Sequence, residues 1–152
     1  MSESQAQSEV EPPQVHLWNP NAAANWSLLF TPAFGAYLQM LNWRALNEPE
    51  RAAKSRGWLL LSIAALGLYI LLASSNPESE AIDGLIRLVG MILLISWYFA
   101  SARKQTQYVK AQLGNAYIKR SWWRPLLIAV ALSFALILFS AIVGVFFAIV
   151  SK

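Results

Sequence analysis

The chain has 152 residues, of which 57% are hydrophobic and 13% charged, with a mean hydropathy of +0.42. Soluble domains carry about 25% charged residues, so this composition excludes an ordinary soluble globule and a disordered chain, and the length suits one domain rather than two. The net charge of +4 does not point to nucleic acid, because the basic residues lie between long apolar runs, and the absence of cysteine excludes disulfides and thiolate metal sites.

Residues 1–17 are polar and acidic, with Glu3, Glu9, Glu11 and Pro12-Pro13. They lack the basic and apolar regions of a cleavable signal and are expected to be a disordered tail. Residues 18–152 are expected to form one polytopic transmembrane domain. Asn19-Pro20-Asn21 supplies turn chemistry ahead of the first apolar segment, 26–43, which contains Thr31, Pro32, Gly35, Gln39 and Asn42. Pro32 removes a helix hydrogen bond, so this segment reads either as a kinked spanning helix or as a re-entrant or interfacial element.

In 44–57 the acidic Glu48 and Glu50 precede Arg51, Lys54 and Arg56. The helix dipole favours that order, which predicts a short helix started by the Asn47-Glu48-Pro49 turn. The second span, 58–75, is uncharged. The connection 76–84 has no Lys or Arg but holds Glu78, Glu80 and Asp83, a candidate external contact. The third span, 85–102, carries only Arg87, within snorkelling reach of its end and four residues after Asp83, a favourable helix pair. Its helix is expected to run on toward Leu113 and stop at Gly114-Asn115.

The segment 103–124 holds Arg103, Lys104, Lys110, Lys119, Arg120 and Arg124 among Tyr108, Tyr117, Trp122 and Trp123. Anionic lipid attracts such a segment by about 1 kcal/mol per basic residue near the surface, and lipid contact is the expectation for these six. The last span, 126–150, is uncharged and roughly 37 Å long at about 1.5 Å per residue, enough to cross with some tilt. Pro125 suits its first turn.

The two basic segments hold ten of the twelve Lys and Arg residues. The positive-inside rule makes them cytoplasmic, the acidic connection external and the C-terminus periplasmic. The side occupied by the N-terminus depends on whether 26–43 spans. Trp58, Trp97, Tyr98, Trp122 and Trp123 mark the span ends, as expected of aromatics at the headgroup layer. The expected fold is an all-α bundle of four transmembrane helices, or of three plus one re-entrant element.

The spans contain no Asp, Glu, His or Lys, which argues against proton-coupled transport. His16 has no ligand set around it in sequence, the span serines have no base at motif spacing, and no phosphate-binding loop is present. The reading is of a non-enzyme with no catalytic, cofactor-binding or metal residues. In the last span Ser140, Gly144 and Ala148 recur every four residues, extended toward the start by Ala129 and Ser133. Small residues on one stripe permit close helix approach in lipid, either as an internal seam or as a surface for a partner or second copy.

The segment from Trp18 through Ala36, Asn42-Trp43-Arg44-Ala45-Leu46, Gln107-Tyr108-Val109 and Trp122-Trp123-Arg124-Pro125-Leu126 together resemble a group of small proteobacterial inner-membrane proteins. The resemblance covers most of the chain after residue 17. Some similar polytopic proteins are encoded beside secreted antibacterial effectors and act as their immunity proteins. The resemblance therefore implies a bacterial inner-membrane protein that neutralises a cognate pore-forming toxin, delivered by type VI secretion, with no active-site residues to carry over. An accessory subunit of a membrane complex is the alternative. A small channel or transporter, as a homo-oligomer lined by Ser62, Ser133 and Ser140, is the third.

Overall fold

The computed structural model describes residues 14–150. Most of the expected acidic tail lies outside the described residues, but its end is ordered. His16–Leu17 forms strand β1, paired in parallel with β2, Ile118–Lys119. The Ile118 amide donates to the Val15 carbonyl at 3.0 Å and the Arg120 amide to the Leu17 carbonyl at 2.8 Å. Leu17 is fully buried, so burial of a large apolar side chain offsets the cost of ordering a stretch that composition alone reads as tail.

Helix α1, Pro20–Phe30, starts six residues before the expected apolar segment. Asn19 caps it, its side-chain oxygen accepting from the amides of Asn21 at 3.0 Å and Ala22 at 3.3 Å, and Pro20 occupies the first turn, where its missing N–H costs nothing. The chain breaks at Thr31 and resumes as α2, Pro32–Ala45. Segment 26–43 is therefore no single helix. Pro32 cannot donate into the preceding turn and crowds it, and Thr31 takes φ 108°. At 11 and 14 residues, α1 and α2 are about 16 and 21 Å long, each short of a bilayer core of about 30 Å.

Among the described residues three helices are long and apolar enough to cross a membrane, which fits a membrane location. The first is α3, Pro49–Ser75. It begins on the expected turn, with Asn47 at φ 57°, but the short helix expected over 44–57 is not separate from the span that follows. Gly57 does not interrupt α3, since one helical glycine costs only about 1 kcal/mol. The second runs from Glu80 to Gln112 as α4, Glu80–Trp97, a wide π-helical segment, Tyr98–Ala102, and α5, Arg103–Gln112. It ends as the sequence suggests, with Gly114 at φ 57°, a conformation that glycine adopts without strain. The third is α6, Trp123–Val150.

The π segment keeps one seam facing inward. Trp97, Ser101, Ala102, Gln105 and Val109 are all buried. From residue 97 to 109 a regular α-helix would rotate its face by about 120° beyond whole turns. One extra residue in a wide turn takes back about 100°, so Gln105 and Val109 stay on the side of Trp97.

Two apolar clusters result. One joins Ala24 of α1, Ala36 of α2, Trp97 and Ala102, with Trp58, Leu59 and Leu94 against it. The other joins Met40, Trp43 and Ala52, with Tyr108 alongside. Trp97 is 1% exposed, so it is a core residue and not the headgroup aromatic expected. Trp123, at 71% exposure, remains free to take that role.

Candidate functional site

Side chains that the sequence leaves far apart converge near the basic end of the bundle. Ser101 Oγ donates to Gln39 Oε1 at 2.9 Å. Gln105 Nε2 donates to the Gln39 carbonyl at 3.0 Å, and Asn42 Nδ2 donates to Gln105 Oε1 at 3.3 Å. Asn42 also binds the backbone of Trp18 on both sides, accepting from its amide at 3.0 Å and donating to its carbonyl at 2.8 Å. Gln39, Asn42 and Gln105 are each 1% exposed or less.

All these groups are uncharged amides and hydroxyls. The cluster locks α2, the π segment and the strand-forming N-terminal segment in one arrangement. Gln39 Nε2 and Trp97 Nε1 are buried donors with no protein acceptor, which makes the cluster costly to assemble and sensitive to change. Gln39 and Asn42 were visible only as polar interruptions of an apolar run. Gln105 and Ser101 carried no signal beyond a four-residue spacing.

A second cluster lies beside it. Tyr108 Oη donates to Glu48 Oε1 at 2.7 Å, and Arg51 Nε lies 3.4 Å from Glu48 Oε2. The Arg51 guanidinium sits over the rings of Tyr108, at 4.4 Å, and Trp43, at 5.0 Å. Tyr108 lies beyond the apolar stretch of its helix. The hydrogen bond to Glu48 raises its pKa, burial and the Glu48 charge add to the effect, and Arg51 opposes it. Burial also raises the Tyr117 phenol.

The expected surface residues sit as follows. Arg103, Lys104, Lys110, Lys119, Arg120 and Arg124 are all exposed. Arg120 lies over the Trp18 ring at 4.7 Å, and Arg103 lies 5.9 Å from the centre of the Phe99 ring. Glu78, Glu80 and Asp83 are exposed at the opposite end. Asp83 and Arg87 form their pair at 4.0 Å between well-solvated groups, where such a contact is worth little.

Along the small-residue stripe Ala129 is buried, Ser133, Ser140 and Gly144 are half-buried, and Ala148 is exposed. A Cβ added at Gly144 would meet nothing within 4 Å. The stripe thus leaves room beside residue 144. Ser62 is buried, so it does not share an open surface with Ser140.

Between α2, α3 and α6 lies an apolar groove of about 650 Å³. Phe34, Leu38, Leu59, Leu66, Leu132 and Leu136 wall it, and Trp18 and Arg124 also line it, at the basic end.

No family model matches this chain, and neither a characterised protein nor a solved structure shows significant similarity to it.

Proposed function

We propose that this protein is a multi-pass inner-membrane binding protein, and that its partner is a pore-forming toxin delivered by type VI secretion, against which it protects its own cell. The state of α6 carries the reading. Of its 28 residues only Pro125 and Ala129 are buried, and beyond them Ser140, Gly144 and Ala148 leave a face on which another backbone finds room. In lipid, where the hydrophobic effect does not drive helices together, such close approach supplies the association energy. Neutralising a pore former needs contact, between helices in the bilayer or at an external face, and no catalytic group.

Ten basic residues lie in the segments at one end and Glu78, Glu80 and Asp83 at the other. The positive-inside rule makes the acidic connection periplasmic, the side a delivered toxin reaches first, and gives it the role of a second contact.

The test is competition between a strain deleted for this gene and a toxin-delivering wild type, with membrane potential followed by dye. Depolarisation and death, reversed by re-expression, are the expected result. Unchanged survival, with delivery proved on a sensitive strain, discards the toxin reading. An accessory subunit of a membrane complex then takes first place. The ordered basic end, with Lys104, Lys110 and Lys119 exposed on its surface, supports that second reading, and co-purification of a resident partner tests it.

A further inference from the structure

The groove between α2, α3 and α6 is closed toward the protein and open toward its surroundings. Ile63, Ile128 and Leu132 line it and are 52%, 59% and 58% exposed. Along α6 it runs from Arg124 to Leu136, about 18 Å, close to the roughly 15 Å of hydrocarbon in one leaflet. A single hydrocarbon chain matches both that length and the apolar walls.

Charge fixes the polarity of the occupant. Arg124 lines the basic end of the groove together with Trp18, whose ring carries Arg120 over it at 4.7 Å. The first turn of α6 adds its partial positive charge there. The groove has no acidic lining residue, and among the described residues no carboxylate pairs with Arg120 or Arg124.

We propose that this groove binds one anionic glycerophospholipid of the surrounding leaflet, an acyl chain lying between α2, α3 and α6 and the phosphate held by Arg124 and Arg120. This goes beyond general attraction of a basic surface to a membrane, because it names one site with one stoichiometry. It rests on the membrane reading of the protein but not on the toxin.

Native mass spectrometry of the full-length protein in neutral detergent tests it, with added phosphatidylglycerol or phosphatidylethanolamine of identical chains. The wild type is expected to retain one phosphatidylglycerol after loosely held lipid is stripped. Arg124→Gln lowers the preference over phosphatidylethanolamine about fivefold, the weight of one basic residue near a phosphate. Arg103→Gln, equally exposed but outside the groove, leaves the preference unchanged. Leu132→Trp fills the groove and reduces retention of both lipids. Should that variant misfold, the two arginine variants decide alone. Equal retention by wild type and Arg124→Gln overturns the site, as does an equal loss with Arg103→Gln or retention of a free fatty acid in place of phospholipid. If the protein fails to sediment with membranes, the membrane reading itself falls. Membrane-bound protein without selective retention discards only the lipid site.

Discussion

The indole of Trp97 occupies the space that a side chain at Gly35 would need. A Cβ built on residue 35 falls 2.5 Å from Cη2 and 2.6 Å from Cζ2 of that ring, with Ser27 Oγ crowding the same space. The contact lets α1 and α2 fold against each other and against the π segment. Trp97 is buried on every side, so it cannot yield. Gly35→Ala is expected to destabilise the protein by about 1–3 kcal/mol through overpacking. Gly67→Ala, where a Cβ meets nothing within 4 Å, should be neutral or mildly stabilising. Thermal melts of both in detergent check the contrast, and an unchanged melt for Gly35→Ala refutes the packing account.

Asn42 binds both backbone groups of Trp18, so Asn42→Asp replaces a donor with an oxygen facing the Trp18 carbonyl and Gln105 Oε1. A buried polar group left unsatisfied costs about 1–3 kcal/mol, and more if it is charged. The N-terminal segment should detach before the helices melt. Hydrogen exchange at the amides of Trp18 and Ile118 is expected to accelerate while α6 is unaffected. Uniform acceleration throughout the chain would count against a local lock.

Tyr108→Phe removes the 2.7 Å bond to Glu48 and is expected to cost about 1 kcal/mol, less than a buried bond to a charged group because the site is half-exposed. The raised phenol pKa sets the sign of the pH dependence. The contribution is fully present below the unfolded tyrosine value of about 10 and is lost as pH rises through the folded value. Stability near neutral pH is therefore flat in this group. Tyrosinate absorbance should show two phenols, Tyr108 and Tyr117, titrating late in the wild type, of which one titrates earlier in Glu48→Gln and is absent in Tyr108→Phe while the other stays late.

Thr31 holds φ 108° and ψ 157°, a region that is almost the preserve of glycine, and such a residue costs about 1–3 kcal/mol. Thr31→Gly is expected to raise the melting temperature, the relieved strain exceeding the added chain entropy of roughly 1 kcal/mol at most. A lowered melt would show that the Thr31 side chain, which borders the groove, contributes more than the strain removes.

Gly144→Leu separates folding from recognition. Open space around residue 144 means that the purified chain should melt as the wild type does. If the lower stripe of α6 receives the toxin, the same variant loses protection in the competition assay. Full protection would move the contact elsewhere, with the connection carrying Glu78, Glu80 and Asp83 next to be tested by charge reversal.

Apolar run length, charge order and proline or glycine punctuation are local properties, and from them the sequence by itself determined the three long helices, the start at Pro49 and the stop at Gly114. It marked Pro32 as a break in 26–43 but left open a kinked spanning helix or a re-entrant or interfacial element, since proline bends a helix interior and also suits a first turn. Only the tertiary structure decided that the interruption divides two packed helices, that Trp97 is core, and that His16–Leu17 pairs with a strand a hundred residues away. It also decided that Gln39 and Asn42 meet Ser101 and Gln105 across separations of 62 and 63 residues. Those outcomes depend on the rotation of one helix about its axis relative to another, which here hangs on a single wide turn at Tyr98–Ala102. The residues of a helix state its period, but the seam it turns inward is fixed by the neighbours it packs against.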